Sequence, residues 1–162
     1  MKLYLKNEAG AFQLYEGDLT GELGKRNIKI GNCVTIGYGV KLGNGVTLGN
    51  CVKLGNRAKL GNCVTIGDCV TIGDDVKIGD DVKIGDGVTI KTQYDVVIIE
   101  GLGSRQAPLS ACLKDGKIMV GTGCFWGTIE EFEAKVKEVH GGNEHGRRYN
   151  WAVTCIRLYF QA

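Results

Sequence analysis

The chain has 162 residues, enough for one domain or two small ones, and its net charge of +2 gives no global reason to expect a nucleic acid partner. No apolar run approaches the ~20 residues of a membrane span, so a membrane is not expected either. Seven cysteines, behind an N-terminus without the apolar core of a secretion signal, indicate reduced thiols and a cytoplasmic protein.

Residues 1–27 are predicted to form a β-hairpin that caps the segment after it. Strand-like stretches from Lys2 to Lys6 and from Ala11 to Glu16 flank a polar turn at residues 7–10. A cap is expected here because the ends of a repetitive β-structure otherwise expose unpaired strand edges.

Residues 28–93 repeat a six-residue unit eleven times, and residues 64–69 (VTIGDC) are typical. Aliphatic residues hold the first and third positions, glycine the fourth from Gly31 to Gly85, and Asn or Asp the fifth except at Tyr38. Each unit is predicted to form a three-residue strand with both aliphatic side chains inward. A tight corner follows, in which Gly and Asn or Asp are expected to supply the positive φ.

This repeat resembles the hexapeptide-repeat family, whose fold is a left-handed parallel β-helix with three hexads in each triangular coil. The resemblance implies a mainly β protein and a homo-oligomer, expected to be a trimer packed through solenoid faces. It also implies acyl-CoA-dependent acyltransferase activity, in which a histidine on the solenoid or on an extruded loop acts as general base. The solenoid has no histidine and no interrupted hexad. Acyltransferase activity therefore stands as an alternative.

The outward positions of the solenoid form columns, because residues eighteen apart stack on one face. One column holds Lys41, Lys59 and Lys77, and this ladder is a secondary candidate for binding an anion or an acidic partner; otherwise these lysines are simply solvated. Another column, on a corner, holds three cysteines, Cys33, Cys51 and Cys69, which are expected to be small corner residues rather than a disulfide. The Asp residues of the later corners are explained by turn chemistry, and no metal is expected.

Residues 94–162 are predicted to form a small α+β domain of three strands and two helices. A strand at 95–100 precedes a hairpin of 109–113 with 117–120, which turns at residues 115–116. Thr128 and Glu131 form a capping box for the first helix, and Asn143 caps the second. The expected apolar positions are Ile129, Phe132, Val136 and Val139 on the first helix and Trp151, Cys155, Leu158 and Tyr159 on the second.

The same region carries the residue types that recognise a small anion. The primary candidate site contains a small-residue loop, two histidines, two arginines at the start of the last helix, and aromatic side chains for stacking. Its residues are Gly103, Ser104, Arg105, Phe125, Trp126, His140, His145, Arg147, Arg148 and Tyr149. The alternatives are solvated arginines paired with glutamates, core aromatic residues and a capping histidine. A zinc site from Cys112, Cys124, His140 and His145 is not favoured, because no C-x-x-C pair exists.

The stretch from Gly123 to Phe132, together with residues 140–145 and Tyr149, is similar to a small uncharacterised domain of bacteriophage and prophage proteins. The resemblance implies a viral origin and, by analogy, the binding of a nucleotide-derived immune signal of the bacterial host. The expected function is therefore non-enzymatic binding of a small anionic ligand, with no cofactor. The alternatives are an acyltransferase and a structural or assembly module.

Overall fold

The computed structural model describes residues 2–103 and 106–161. The N-terminal strands and helix are β1 (Lys2–Lys6), β2 (Phe12–Glu16) and α1 (Thr20–Lys25). Eleven short strands follow: β3 (Lys29–Ile30), β4 (Thr35–Ile36), β5 (Lys41–Leu42), β6 (Thr47–Leu48), β7 (Lys53–Leu54), β8 (Lys59–Leu60), β9 (Thr65–Ile66), β10 (Thr71–Ile72), β11 (Lys77–Ile78), β12 (Lys83–Ile84) and β13 (Thr89–Ile90). A 3-10 turn (Gln93–Asp95) leads to β14 (Val96–Ile99), β15 (Leu109–Lys114), β16 (Lys117–Thr122), β17 (Phe125–Thr128), α2 (Ile129–His140) and α3 (Glu144–Phe160).

The eleven short strands form a parallel β-solenoid with three faces, as the repeat predicts. Face 1 contains β3, β6, β9 and β12; face 2 contains β4, β7, β10 and β13; face 3 contains β5, β8 and β11. Residues eighteen apart are paired, so that Lys41 lies beside Lys59 and Lys59 beside Lys77. The strands are one residue shorter than predicted, but the aliphatic first and third positions form a continuous buried core from Val40 to Ile90.

The repeated glycine is required by close contact between coils and not by its φ angle. A Cβ built on Gly31 would lie 2.6 Å from the carbonyl carbon of Gly49 in the next coil, nearer than real Cβ atoms approach. From Gly31 to Gly67 the fourth position therefore excludes a side chain, whereas a Cβ built on Gly79 would meet only the Glu100 carboxylate, at 3.9 Å. The prediction that this glycine supplies the positive φ is wrong.

The fifth position of the repeat forms a hydrogen-bonded ladder along each corner. The Asn50 side chain accepts the backbone N–H of Asn32 at 2.9 Å, and the Asp68 side chain accepts that of Asn50 at 2.7 Å. Asn or Asp is needed because its short side-chain oxygen satisfies an amide that the corner leaves without a strand partner. The positive φ falls one residue later, at 56° in Cys33 and 73° in Gly39.

The predicted N-terminal hairpin is confirmed, and it extends face 3. β1 pairs antiparallel with β2 and parallel with β5, with Tyr4 beside Lys41. Leu3 and Leu5 point into the solenoid core and are fully buried. Helix α1, which was not predicted from the sequence, follows the hairpin, and Leu19 just before it is buried in the same core. The edge of face 3 is thereby covered.

The C-terminal sheet has four antiparallel strands in the order β14-β15-β16-β17, one more than predicted. Alternate side chains point to opposite faces. One face, with Cys112 and Trp126, packs on the end of the solenoid, and the other, with Leu109 and Val120, packs on α2 and α3. Ser110 ties the sheet to the solenoid, because its hydroxyl donates to the Lys83 carbonyl at 2.7 Å. Whether residues 94–162 fold as a separate domain stays a prediction.

The predicted capping box of α2 and the predicted Asn143 cap of α3 are confirmed, but the predicted apolar side of α3 is wrong. Its buried face consists of Ala152, Val153 and Ile156, whereas Trp151 and Leu158 are about two-thirds exposed, at 60% and 65%. On α2 the predicted stripe is buried except at its last member, Val139. Within the described residues no helix is long and apolar enough to cross a membrane.

The capping box of α2 yields a stability prediction. The Thr128 hydroxyl accepts the Glu131 N–H at 3.2 Å, and the Glu131 carboxylate accepts the Thr128 N–H at 2.7 Å. Thr128→Ala should lower the free energy of unfolding by about 1 kcal/mol, measured by chemical denaturation. Thr154→Ala is the control, because its exposed hydroxyl only duplicates a bond to the Asn150 carbonyl inside α3 and its loss should change little. Equal effects would contradict the capping role.

Candidate functional site

The outward side of face 3 combines lysines with aromatic rings. We call it the lysine face, and its members are Tyr4, Lys6, Phe12, Lys41, Lys59 and Lys77. The register brings them together, because Tyr4 pairs with Lys41 across the β1–β5 junction and Lys6 pairs with Phe12 across the hairpin. The hairpin thus contributes two rings and one cation to a ladder that otherwise contains only lysines.

Three ammonium groups converge on one ring. The Nζ atoms of Lys6, Lys41 and Lys59 lie 5.9, 5.7 and 5.5 Å from the centre of the Phe12 ring. The Lys41 ammonium is also 5.8 Å from the centre of the Tyr4 ring. Cation–π attraction at this range offsets part of the repulsion between neighbouring ammonium groups. The ring therefore holds the three lysines close together.

An open cleft of about 330 Å³ lies along this face and is bounded on one side by a solenoid corner. Its lining includes Tyr38, which is 74% exposed, and Arg57. Arg57 is held by a bidentate pair with Asp75, with contacts of 2.7 and 2.6 Å, and the guanidinium lowers the pKa of that carboxyl. Tyr38 occupies the fifth position of its hexad, where every other corner from Gly31 to Gly85 has Asn or Asp.

The positive charge of the lysine face is not neutralised by carboxylates. In the part of the chain that the structure describes, Lys6, Lys41, Lys59 and Lys77 make no ion pair. Residues 28–67 contain five Lys or Arg residues and no Asp or Glu, whereas the six solenoid aspartates follow from Asp68 onward. The N-terminal half of the solenoid is therefore a cationic surface.

The aromatic candidates of the C-terminal region are mainly packing residues. Phe125, Phe132, Tyr149, His140 and His145 form a row of rings in which neighbouring centres are 5.4 to 5.9 Å apart. Burial raises the pKa of the Tyr149 hydroxyl. Nδ1 of His145 is buried and, in the described part of the chain, has no hydrogen-bond partner.

Trp126 and Gly103 are two further candidates of this region. Trp126 points the other way and packs on Gly85 of the solenoid. Gly103 is buried, and a Cβ there would collide with the Tyr149 hydroxyl, so the loop lies directly on this row. Ser104 and Arg105 fall outside the described residues. Phe125, Trp126 and Tyr149 are thus not arranged as one exposed stacking surface.

Arg147 and Arg148, near the start of α3, line a separate open cleft of about 410 Å³. Arg148 pairs with Glu144 at 2.5 Å, as one of the alternatives expected, and Arg147 donates to the Gly142 carbonyl at 3.2 Å. Trp151, which sequence periodicity assigned to the core, lies in this cleft with its indole exposed. Because one carboxylate neutralises one guanidinium, this cleft carries less free charge than the lysine face.

The His, Cys, Asp and Glu side chains of the described residues are the potential ligands of an ordinary metal centre. Among residues 2–103 and 106–161, no group of three or more His, Cys, Asp or Glu side chains is arranged to hold a metal ion. Cys112 is buried between sheet and solenoid, and burial raises the pKa of its thiol to about 12. Four of the six solenoid aspartates, Asp68, Asp74, Asp80 and Asp86, accept backbone N–H groups in the corner ladders, as Asp80 does from Asn62 at 2.8 Å.

Three lysines of the lysine face follow from the repeat, but its hairpin members Tyr4, Lys6 and Phe12 and the nearby Tyr38 were not among the predicted site residues. The signal for the hairpin members lies in the strand pattern, where alternate residues Tyr4 and Lys6 share a side. Their junction with the solenoid, however, depends on a strand pairing that no repeat specifies. Tyr38 was visible in the sequence as the exception at the fifth position.

The family described as "Bacterial transferase hexapeptide (six repeats)" matches residues 57–92, and over this stretch the chain is similar to it. No curated protein and no solved structure matches the chain. The match lies wholly within the solenoid, so the similarity of residues 94–162 to a phage domain receives no support from these comparisons.

Proposed function

We propose that the protein is a non-enzymatic binding protein that holds a small anionic ligand on the lysine face. The observation that carries the proposal is the convergence of Lys6, Lys41 and Lys59 on Phe12 without a neutralising carboxylate. Ammonium groups next to an open cleft attract phosphate or carboxylate oxygens, and a charge-assisted hydrogen bond is about twice as strong as a neutral one. The predicted homo-oligomer, a trimer packed through solenoid faces, is retained as part of this proposal.

The rings beside the cations favour a nucleotide-type ligand. Tyr38 and Tyr4 border the cleft that contains the lysines, so one molecule can place a base on a tyrosine and its phosphates on the ammonium groups. The cleft volume of about 330 Å³ is near the lower end of the range of small-molecule sites. A nucleotide-derived signal, bound without being altered, is the ligand class that this arrangement fits.

Acyl transfer is the second candidate, and the match of residues 57–92 to a transferase family favours it. The hexapeptide-repeat family includes acyltransferases and structural members, so membership alone does not decide between them. The solenoid has no histidine to act as general base. The two histidines of the chain, His140 at the end of α2 and His145 in the first turn of α3, pack against each other, and His140 also packs against Tyr149.

Isothermal titration of ATP, cyclic AMP and acetyl-CoA against four proteins tests the proposal. Lys41→Gln with Lys59→Gln removes two charges at nearly constant size and should weaken ATP binding by at least about 100-fold, because two contacts are lost and each charge-assisted contact contributes roughly 1.5–3 kcal/mol. The control is Lys29→Gln with Lys53→Gln, which removes two exposed lysines from faces 1 and 2 of the same solenoid. This control should bind as the unaltered protein does.

The fourth protein, the variant Arg147→Gln with Arg148→Gln, tests whether the ligand binds in the α3 cleft. Loss of binding in this variant alone would move the site from the lysine face to α3. Absence of binding to all three probes would overturn the proposed function. Release of free coenzyme A from acetyl-CoA in the presence of an amine or alcohol acceptor would replace it with acyl transfer.

A further inference from the structure

Three thiols stack along one corner of the solenoid. Cys33, Cys51 and Cys69 each hold the sixth position of a hexad, and their corners are joined by backbone hydrogen bonds of 2.8 Å from Cys51 to the Asn32 carbonyl and from Cys69 to the Asn50 carbonyl. All three are exposed and free. We call them the thiol column. The stacking registers them at the coil spacing of about 4.8 Å.

The backbone of these positions does not favour cysteine. The φ angle is 56° at each of the three residues, in the left-handed region that costs a side chain roughly 1–2 kcal/mol. Glycine holds the equivalent position at Gly39 and Gly45 without that cost. A strained residue type that the fold does not need is a reason to look for a role for its side chain.

The fourth cysteine of the solenoid differs in its neighbours. Cys63 has the same exposed corner position and a φ of 53°, but it lies on another corner, where it stacks on Gly45. Asp81 holds the corner position of the following coil, and its N–H bonds the Asn62 carbonyl. Cys63 therefore has no thiol partner in its column.

The spacing of the thiol column matches a metal bridge better than a disulfide. A thiolate bond to a d10 ion is about 2.3 Å long, so two collinear bonds span about 4.6 Å, close to one coil step. A disulfide needs sulfur atoms about 2.05 Å apart, and parallel side chains in register would have to rotate toward each other to form one. A structural zinc ion needs four protein ligands, whereas the thiol column contains only three thiols.

We propose that adjacent thiols of the column bind a soft monovalent ion of the copper(I) class in linear two-coordination, with Cys51 shared between two alternative pairs. Soft thiolate ligands select copper(I) over harder ions. Two thiols release two protons as the two metal–sulfur bonds form, so no electron transfer is involved.

The test is a copper(I) competition titration of the reduced full-length protein, under nitrogen, against the chelator bicinchoninate. Cys51→Ser leaves Cys33 and Cys69 two coil steps apart, about 9.6 Å, and should weaken binding at least 100-fold. Cys33→Ser removes the same number of thiols but keeps the Cys51–Cys69 pair, and it should retain affinity within about 3-fold. Cys63→Ser should leave affinity unchanged. Circular dichroism checks that all variants stay folded.

The pattern of loss decides the outcome. Equal weakening by Cys33→Ser, Cys51→Ser and Cys63→Ser would overturn the proposal, because copper(I) would then bind single thiols independently. Failure of the unaltered protein to compete with the chelator would overturn it as well. A loss of two mass units on exposure to air, without copper(I) binding under nitrogen, would replace the metal bridge with a disulfide.

Discussion

Gly55→Ala is expected to lower the free energy of unfolding by about 3 kcal/mol, near the upper end of what overpacking costs. The added Cβ would lie 2.5 Å from the Asp74 amide nitrogen and 2.5 Å from the Gly73 carbonyl carbon of the next coil. Both atoms belong to backbone that is fixed by the solenoid ladder, so neither can move aside alone. For a chain of this length the melting temperature should fall by about 6–12 °C, measured by calorimetry.

Gly24→Ala is the matched control for this prediction. Gly24 lies in α1, and a Cβ built on it meets nothing within 4 Å. Alanine is favoured over glycine inside a helix by about 1 kcal/mol, so this variant should be as stable as the unaltered protein or slightly more so. Similar losses for the two substitutions would mean that the repeat glycine is not required by close contact.

Ile156→Ala should cost about 3 kcal/mol, because it removes a fully buried side chain from the contact of α3 with the sheet. Leu158→Ala, two residues along the same helix, removes a side chain that is 65% exposed and should change stability by less than about 0.5 kcal/mol. Urea denaturation of both variants measures the difference.

The reverse order of the two effects would restore the apolar side that periodicity predicts for α3. That side, which includes Trp151 and Leu158, is as hydrophobic as the buried one, so the spacing of apolar residues alone did not distinguish them. The choice was made by the sheet, whose helix-facing residues Leu109 and Val120 contact the side with Ile156.

The candidate sites also contain parts that the sequence predicts and parts that only the tertiary structure shows. The lysine ladder was predictable, because its three members follow from the repeat period and from pairing at constant register. The rings that complete it were not, since Phe12 reaches the ladder only through the pairing of β1 with β5. Conversely, Phe125 and Trp126 were grouped because they are adjacent in sequence, although neighbouring residues of a strand point to opposite faces.

By itself the sequence determined the solenoid, its corners and the columns on its faces. Because the period is six residues, each residue of the repeat contacts the equivalent residues of the neighbouring coils, eighteen positions away. Glycine at the fourth position avoids a collision between coils, and Asn or Asp at the fifth position accepts a backbone N–H of the adjacent coil. Only the tertiary structure decided which face the hairpin extends, which side of α3 is buried and which charges remain unpaired. Those outcomes depend on how non-repetitive segments dock, and docking selects among surfaces that are equally apolar or equally charged in the sequence.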